Sequence, residues 1–121
     1  MTLFRAIPIH VHGALEVVAA PLLLVAPFAL GFSVGAGVVS FALGVLMIGL
    51  ALSVYGGEGD RGSLPLQAHA GFDLVLGLVT IALGVIVGLA GDTVAAVFMV
   101  GFGTAHMALT ASTRYSRPLG A

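Results

Sequence analysis

Three long stretches of the chain, residues 17–57, 74–91 and 93–113, contain no Asp, Glu, Lys or Arg. A helix that crosses a bilayer needs roughly 20 apolar residues, so the first stretch has room for two such helices. Small residues near its middle indicate the turn between them: Gly31, Ser33, Gly35 and Gly37. Because backbone groups in lipid must be paired within the protein, and because no period-two alternation is present, the pattern predicts helices rather than a β-barrel.

Charged side chains are scarce along the whole chain. They make up 7% of the 121 residues, against about 25% in an ordinary soluble domain, while hydrophobic types make up 60%. This composition excludes a soluble monomer and also a disordered chain. A net charge of −1 without a basic cluster excludes nucleic-acid binding, and the absence of cysteine excludes disulfides and thiolate metal sites. We expect residues 1–121 to form a single all-α domain in the lipid bilayer.

The uncharged stretches predict four transmembrane helices, at residues 8–31, 36–56, 65–90 and 93–113. With four spans, both termini and the middle loop lie on one side of the membrane. All basic residues of the chain fall on that side, and the opposite side carries only Asp92: the basic residues are Arg5, Arg61, Arg114 and Arg117. The positive-inside rule therefore predicts a multi-pass protein with both termini in the cytoplasm. Tyr55 and Tyr115 would then belong to the interfacial aromatic belt on that side.

The two halves of the chain share a pattern at an offset of 57 residues. Each half begins with a proline, a histidine four residues later and an acidic residue after four more: Pro8, His12 and Glu16, then Pro65, His69 and Asp73. We interpret the pattern as an internal duplication with repeats at 7–56 and 64–113, each forming a helical hairpin. Two spans per repeat give both hairpins the same direction through the membrane, and therefore a parallel pseudo-twofold arrangement.

The first repeat resembles the SPW-repeat family of small bacterial membrane proteins. That family has the same Pro-x-x-x-His-x-x-x-acid opening and a Ser-Pro-Trp motif followed by a Gly-aromatic pair. Here the opening is followed by the segment Ala26-Pro27-Phe28-Ala29-Leu30-Gly31-Phe32. Ser-Pro-Trp itself reads Ala26-Pro27-Phe28, the corresponding triplet of the second repeat is Leu83-Gly84-Val85, and the chain has no Trp. The resemblance implies a four-helix protein of the bacterial cytoplasmic membrane and brings no established activity.

Small residues recur every seven positions on three of the predicted helices, and such residues favour close helix packing in lipid. They are Gly37, Gly44 and Ala51 on the second helix, Gly77, Gly84 and Gly91 on the third, and Gly101 and Ala108 on the fourth. On the third helix they share a stripe with His69 and Asp73, so we expect these polar residues to face the bundle interior. On the fourth helix, His106 points almost opposite to the small-residue face.

Five ionisable residues lie in one layer near the predicted cytoplasmic side: His12, Glu16, His69, Asp73 and His106. Ionisable residues inside a span are costly and indicate a functional site. Three interpretations stay open at this point. Each histidine can pair with the carboxylate one turn away. The first four residues can bind Zn²⁺ or Fe²⁺. In the third interpretation, His106 and either His12 or His69 are the axial ligands of a haem.

Enzyme signatures are missing from the sequence, which has no Gly-rich phosphate loop, no nucleophile elbow and no His-Glu-x-x-His motif. We therefore expect a non-enzymatic membrane protein, an accessory or scaffolding subunit that self-associates or packs in a larger membrane complex. The alternative is a metal- or haem-binding membrane protein that uses the polar layer. A carrier of a small solute or a lipid is a third class, supported by that layer alone.

Overall fold

Four helices make up most of the structure, a computed structural model that describes residues 5–54 and 64–116. Helix α1 is Ile9–Leu30, α2 is Val34–Leu52, α3 is Leu66–Leu89 and α4 is Thr93–Ser112. All four are long and apolar enough to cross a membrane, which confirms the predicted all-α membrane fold. Several residues used in the sequence predictions lie outside the described part of the chain, namely Tyr55, Arg61, Arg117 and the loop up to residue 63.

The helices pair as two hairpins, α1 with α2 and α3 with α4, and a tight turn joins each pair. In the first turn Gly31 has a φ of 69°, a left-handed conformation that favours glycine, and its N–H donates to the Pro27 carbonyl. In the second turn the Asp92 carboxylate caps α4 by accepting from the Ala95 N–H at 3.0 Å. It also accepts from the Ser33 N–H of the first turn at 2.7 Å. We call this end of the bundle the turn end, and the end where α1 and α3 begin the terminal end.

Glycines allow the two helices of each hairpin to pack closely. A Cβ added at Gly44 of α2 would lie 3.0 Å from the Leu23 Cβ of α1. In the other hairpin, a Cβ at Gly84 of α3 would lie 3.0 Å from the Met99 Cβ of α4. Both glycines belong to the predicted small-residue faces of α2 and α3, and both faces are used inside the chain. Among the small residues predicted on these two faces, Gly91 departs from the pattern, because it lies in the second turn with a φ of 107°.

On α4 the predicted packing face was wrong. Gly101 and Ala108 are exposed, whereas Gly103 packs against the backbone of Ile81 in α3 and His106 is buried. Small residues are tolerated on a lipid-facing surface as well as at a helix contact, so their spacing alone does not select the packed face. The cost of exposing an ionisable side chain to lipid favours the face that buries His106.

Polar side chains are buried in this structure and many large apolar ones are exposed. His12, His69 and Asp73 are 0% exposed, while Val18 is 75% and Leu89 is 84% exposed. In water this arrangement would leave a large apolar surface hydrated at high cost. In a bilayer it places the apolar side chains against lipid and the ionisable groups against one another, as a membrane protein requires.

A two-residue parallel ladder closes the terminal end. The strand β1 (Ile7–Pro8) pairs with β2 (Thr113–Arg114), so that Ile7 lies opposite Thr113. No strand was predicted here from the sequence, because a pairing of two residues leaves no alternation to detect. The ladder joins the start of α1 to the end of α4 and brings residues 113–116 next to the buried polar side chains.

Candidate metal centre

Five ionisable side chains meet inside the bundle near the terminal end: His12, Glu16, His69, Asp73 and His106. The first histidine and its acidic residue are the fourth and eighth residues of α1, and the second pair has the same positions in α3. Residues four apart share one face of a helix, so each histidine lies beside its own acidic residue. With a rise of about 1.5 Å per residue, the pairs lie about 5–11 Å from the start of their helices.

Two histidine nitrogens and two carboxylate oxygens form the centre of the cluster. His12 Nε2 is 3.1 Å from Glu16 Oε1 and 2.9 Å from Asp73 Oδ2. His69 Nε2 is 3.4 Å from Glu16 Oε1 and 3.3 Å from Asp73 Oδ2. Each nitrogen therefore contacts both oxygens, and each hairpin contributes one histidine and one carboxylate. All four side chains are at most 1% exposed.

Two hydroxyl groups fix the orientation of the histidine rings. Thr113 Oγ1 donates its only proton to the Leu109 carbonyl at 2.7 Å, so it accepts a proton from His12 Nδ1, also at 2.7 Å. Ser53 Oγ donates to the Leu50 carbonyl at 2.5 Å and accepts from His69 Nδ1 at 3.1 Å. In the neutral ring the proton is then on Nδ1, and the Nε2 lone pair points at the carboxylates.

A lone pair directed at a carboxylate oxygen is repulsive unless a cation lies between them. His12 Nε2 is within 3.1 Å of two carboxylate oxygens, yet it makes no well-aligned hydrogen bond to either. Buried carboxylates need a partner that neutralises their charge. The centre is therefore built to hold a positive charge between the imidazole nitrogens and the carboxylate oxygens, either protons or a metal ion.

The two carboxylates also have supporting hydrogen bonds from outside the centre. His106 Nε2 is hydrogen-bonded to Glu16 Oε2 at 3.0 Å, whereas its 3.5 Å approach to Asp73 Oδ1 is not a hydrogen bond. The Tyr115 hydroxyl donates to Asp73 Oδ2 at 2.6 Å. Burial and the neighbouring Asp73 raise the pKa of Tyr115, so its phenol keeps the proton that it donates. Each of the four central side chains thus has one partner that orients it.

The separations between the nitrogen and oxygen atoms match those between neighbouring ligands of one metal ion. Bonds of about 2.0–2.1 Å from an ion place two ligand atoms about 2.9 Å apart at a right angle and about 3.4 Å apart at the tetrahedral angle. The four central N···O distances run from 2.9 to 3.4 Å. Ligand atoms from His12, Glu16, His69 and Asp73 all lie within 4.8 Å of one another, so the four side chains converge on one small region.

Haem ligation fits these residues less well than a single ion. Two axial histidines must direct their nitrogens at opposite faces of a flat macrocycle. Here the Nε2 atoms of His12 and His69 contact the same two oxygens, and His106 Nε2 contacts the other oxygen of Glu16. The nitrogens that would bind the haem iron are turned towards carboxylates, and this arrangement favours a single ion over a haem.

Sequence reasoning missed three residues that contact the centre: Ser53, Thr113 and Tyr115. The histidines that these hydroxyl groups contact are distant in the sequence: His69 is 16 positions from Ser53, and His12 is 101 positions from Thr113. Tyr115 was expected in an interfacial aromatic belt, but its ring lies 5.3 Å from the His12 ring and its hydroxyl bonds to Asp73. Serine, threonine and tyrosine near a helix end are too common to signal such a role.

The fold and the cluster together define a multi-pass helical membrane protein with a buried histidine–carboxylate centre. Comparison with known proteins finds no match to a family model, to a curated protein or to a solved structure. The similarity to the SPW-repeat family therefore stays a resemblance of short motifs.

Proposed function

We propose that this protein binds one divalent transition-metal ion inside the membrane, with His12, Glu16, His69 and Asp73 as ligands. The observation that carries the proposal is the fixed orientation of the two histidine rings. Hydroxyl groups hold their Nδ1 protons and leave both Nε2 lone pairs directed at two buried carboxylates. Hydrogen bonds of this kind to the distal ring nitrogen are a regular feature of metal-binding histidines.

Charge supports a divalent ion. The two carboxylates carry two negative charges, the neutral imidazoles carry none, and all four side chains are buried. A divalent ion makes the centre neutral, which matters in a medium where an uncompensated charge is costly. Imidazole and carboxylate donors without sulfur suit Zn²⁺, Fe²⁺ or Mn²⁺. The arginine distribution further suggests that the terminal end faces the cytoplasm, so that the ion would enter from that side.

Metal analysis of the purified protein tests the proposal. The chain, kept in detergent or lipid nanodiscs, is stripped with a chelator, incubated with Zn²⁺ or Mn²⁺ and freed of unbound ion. We expect about one tightly held ion per chain, and loss of that ion in His12→Ala and in His69→Ala. His10→Ala is the matched control, since His10 lies on the same helix at its exposed surface.

Circular dichroism of each variant shows whether the helices remain. If the folded wild-type chain holds no ion at a concentration that saturates ordinary histidine–carboxylate sites, the cluster is a structural pairing network held by protons and the proposal is overturned.

Lateral association, the accessory or scaffolding role expected from the sequence, is a separate proposal. Two glycines of the small-residue faces, which could support such association, are occupied by contacts within the hairpins, Gly44 against Leu23 and Gly84 against Met99. The exposed faces are mainly apolar and suit lipid as well as another helix. A native mass spectrum of the protein, extracted gently from its membrane, tests whether these faces contact other chains or only lipid. A defined homo-oligomer or a complex with other subunits supports association, and a bare monomer contradicts it.

A further inference from the structure

The Tyr115 hydroxyl reaches the centre from a segment that follows α4. It lies 2.6 Å from Asp73 Oδ2, the same oxygen that both His12 Nε2 and His69 Nε2 contact. Its ring centroid is 5.3 Å from that of His12 and 6.2 Å from that of His69. The phenol is therefore on the side of Asp73 where the ion would be bound, and not on its outer side.

From this position we infer that Tyr115 is a fifth ligand, which allows the centre to hold trivalent iron as well as a divalent ion. The inference rests on the proposed metal site. Two carboxylates neutralise a divalent ion and leave one positive charge on a trivalent one. A phenolate supplies the third negative charge, so the centre is again neutral in its buried environment.

Geometry and donor chemistry both allow this ligand. Two oxygens bound to one ion at about 2.0 Å and at a right angle lie about 2.8 Å apart, close to the 2.6 Å between Tyr115 Oη and Asp73 Oδ2. When the Fe–O bond forms, the phenol O–H bond breaks and its proton passes to solvent, while the iron stays in the ferric state. Phenolate, carboxylate and imidazole are all donors that iron accepts in proteins.

Visible absorption of the ferric protein tests the inference. Ferric citrate is added to the metal-free protein, and unbound iron is removed. A phenolate bound to Fe³⁺ gives a charge-transfer band in the visible region, which histidine and carboxylate ligands do not give. We expect this band in the wild type and its loss in Tyr115→Phe, together with a fall in Fe³⁺ affinity that exceeds any fall in Zn²⁺ affinity by at least about tenfold.

Tyr55→Phe is the matched control, because Tyr55 is the only other tyrosine of the chain. The band should persist in this variant. If Fe³⁺ binds to the wild type without the band, or if Tyr115→Phe keeps it, Tyr115 is not a ligand, and the divalent site stands unaffected. If neither Zn²⁺ nor Fe³⁺ binds to the folded protein, the proposed metal site itself has failed and the inference fails with it.

Discussion

At the level of single residues, the histidine–carboxylate centre depends on side chains that lie outside the proposed ligand set. On the side of each ring away from the carboxylates, the Nδ1 atoms of His12 and His69 each contact a hydroxyl group. The hydroxyl groups of Thr113 and Ser53 each give their proton to a carbonyl one turn or less away and therefore act on the ring only as acceptors. This sets the tautomer of both neutral rings and gives the ring orientation that the proposed metal site requires.

Replacing Thr113 by valine tests this role without removing a ligand. Valine keeps the shape of threonine and deletes the acceptor for His12 Nδ1. We expect Zn²⁺ affinity to fall about 10- to 100-fold, the usual effect of losing such a partner, while the helix content stays unchanged. Thr104→Val is the matched control, because the exposed Thr104 hydroxyl donates to the Val100 carbonyl of the same helix and contacts no histidine. Equal Zn²⁺ affinities of the two variants in a calorimetric titration would show that the hydrogen bond from His12 to Thr113 does not contribute to metal binding.

At the level of helices, glycine decides how closely each hairpin packs. Gly103 of α4 lies against α3, where an added Cβ would be 3.1 Å from both the Gly77 carbonyl oxygen and the Ile81 nitrogen. Backbone atoms cannot give way as a side-chain end can. Gly101, two positions earlier, has nothing within 4 Å of its added Cβ. These two glycines look equivalent in sequence, yet only one of them is required by the helix contact.

Alanine substitutions at these two glycines should therefore differ. We expect Gly103→Ala to lower the free energy of unfolding by about 1–3 kcal/mol through overpacking. Gly101→Ala should change it by less than about 1 kcal/mol, since alanine is at least as good a helix former. Unfolding in a mixed-micelle denaturant titration measures both. A similar effect of the two substitutions would show that α4 packs on a different face.

Asp92 connects the two hairpins at the turn end, and its contribution to the stability of the fold should depend on pH. The backbone N–H groups of Ser33 and Ala95 hold its pKa below the usual value of 3.8. A carboxyl whose folded pKa is lowered stabilises the fold above its unfolded pKa, and this contribution is lost as the pH falls through the folded pKa. Asp92→Ala should therefore lower the melting temperature at pH 7 and have a smaller effect as the pH approaches 3.

Asp92→Asn provides the comparison for this prediction. Asparagine keeps a cap for α4 and loses the charge, so its melting temperature should lie between those of the wild type and Asp92→Ala and vary less with pH. If the melting temperatures of the wild type and Asp92→Ala differed by the same amount at every pH, the ionised Asp92 carboxylate would not be the source of the stabilisation.

At the level of the whole molecule, the fold buries five ionisable residues between its helices and exposes many large apolar side chains. The hydrogen-bonded centre lies at the terminal end, and the carboxylate of Asp92 joins the turns at the other end. The reciprocal contacts, His12 with Asp73 and His69 with Glu16, relate the two hairpins as the proposed duplication would. The duplication itself stays a prediction from the sequence.

The orientation in the membrane can be measured directly, because the chain has no native cysteine. Single cysteines at three exposed positions, Ala6→Cys, Ala90→Cys and Ser116→Cys, mark both ends of the bundle. In intact cells an impermeant thiol reagent should label only Ala90→Cys, since the positive-inside rule places the termini in the cytoplasm. After permeabilisation all three should react. Labelling of Ala6→Cys and Ser116→Cys in intact cells would reverse the orientation, and labelling on opposite sides would contradict four spans.

The sequence by itself determined the four helices, the turn within each hairpin and the layer in which the five ionisable residues lie. These features are local: hydrophobic length fixes a span, and a spacing of four fixes which residues share a helix face. Only the tertiary structure decided that His106 faces inwards, that Gly103 rather than Gly101 packs, and that Thr113 and Tyr115 reach the centre. Those contacts join residues far apart in the chain, and the cost of leaving a buried polar group unpaired selects them only once the helices have packed.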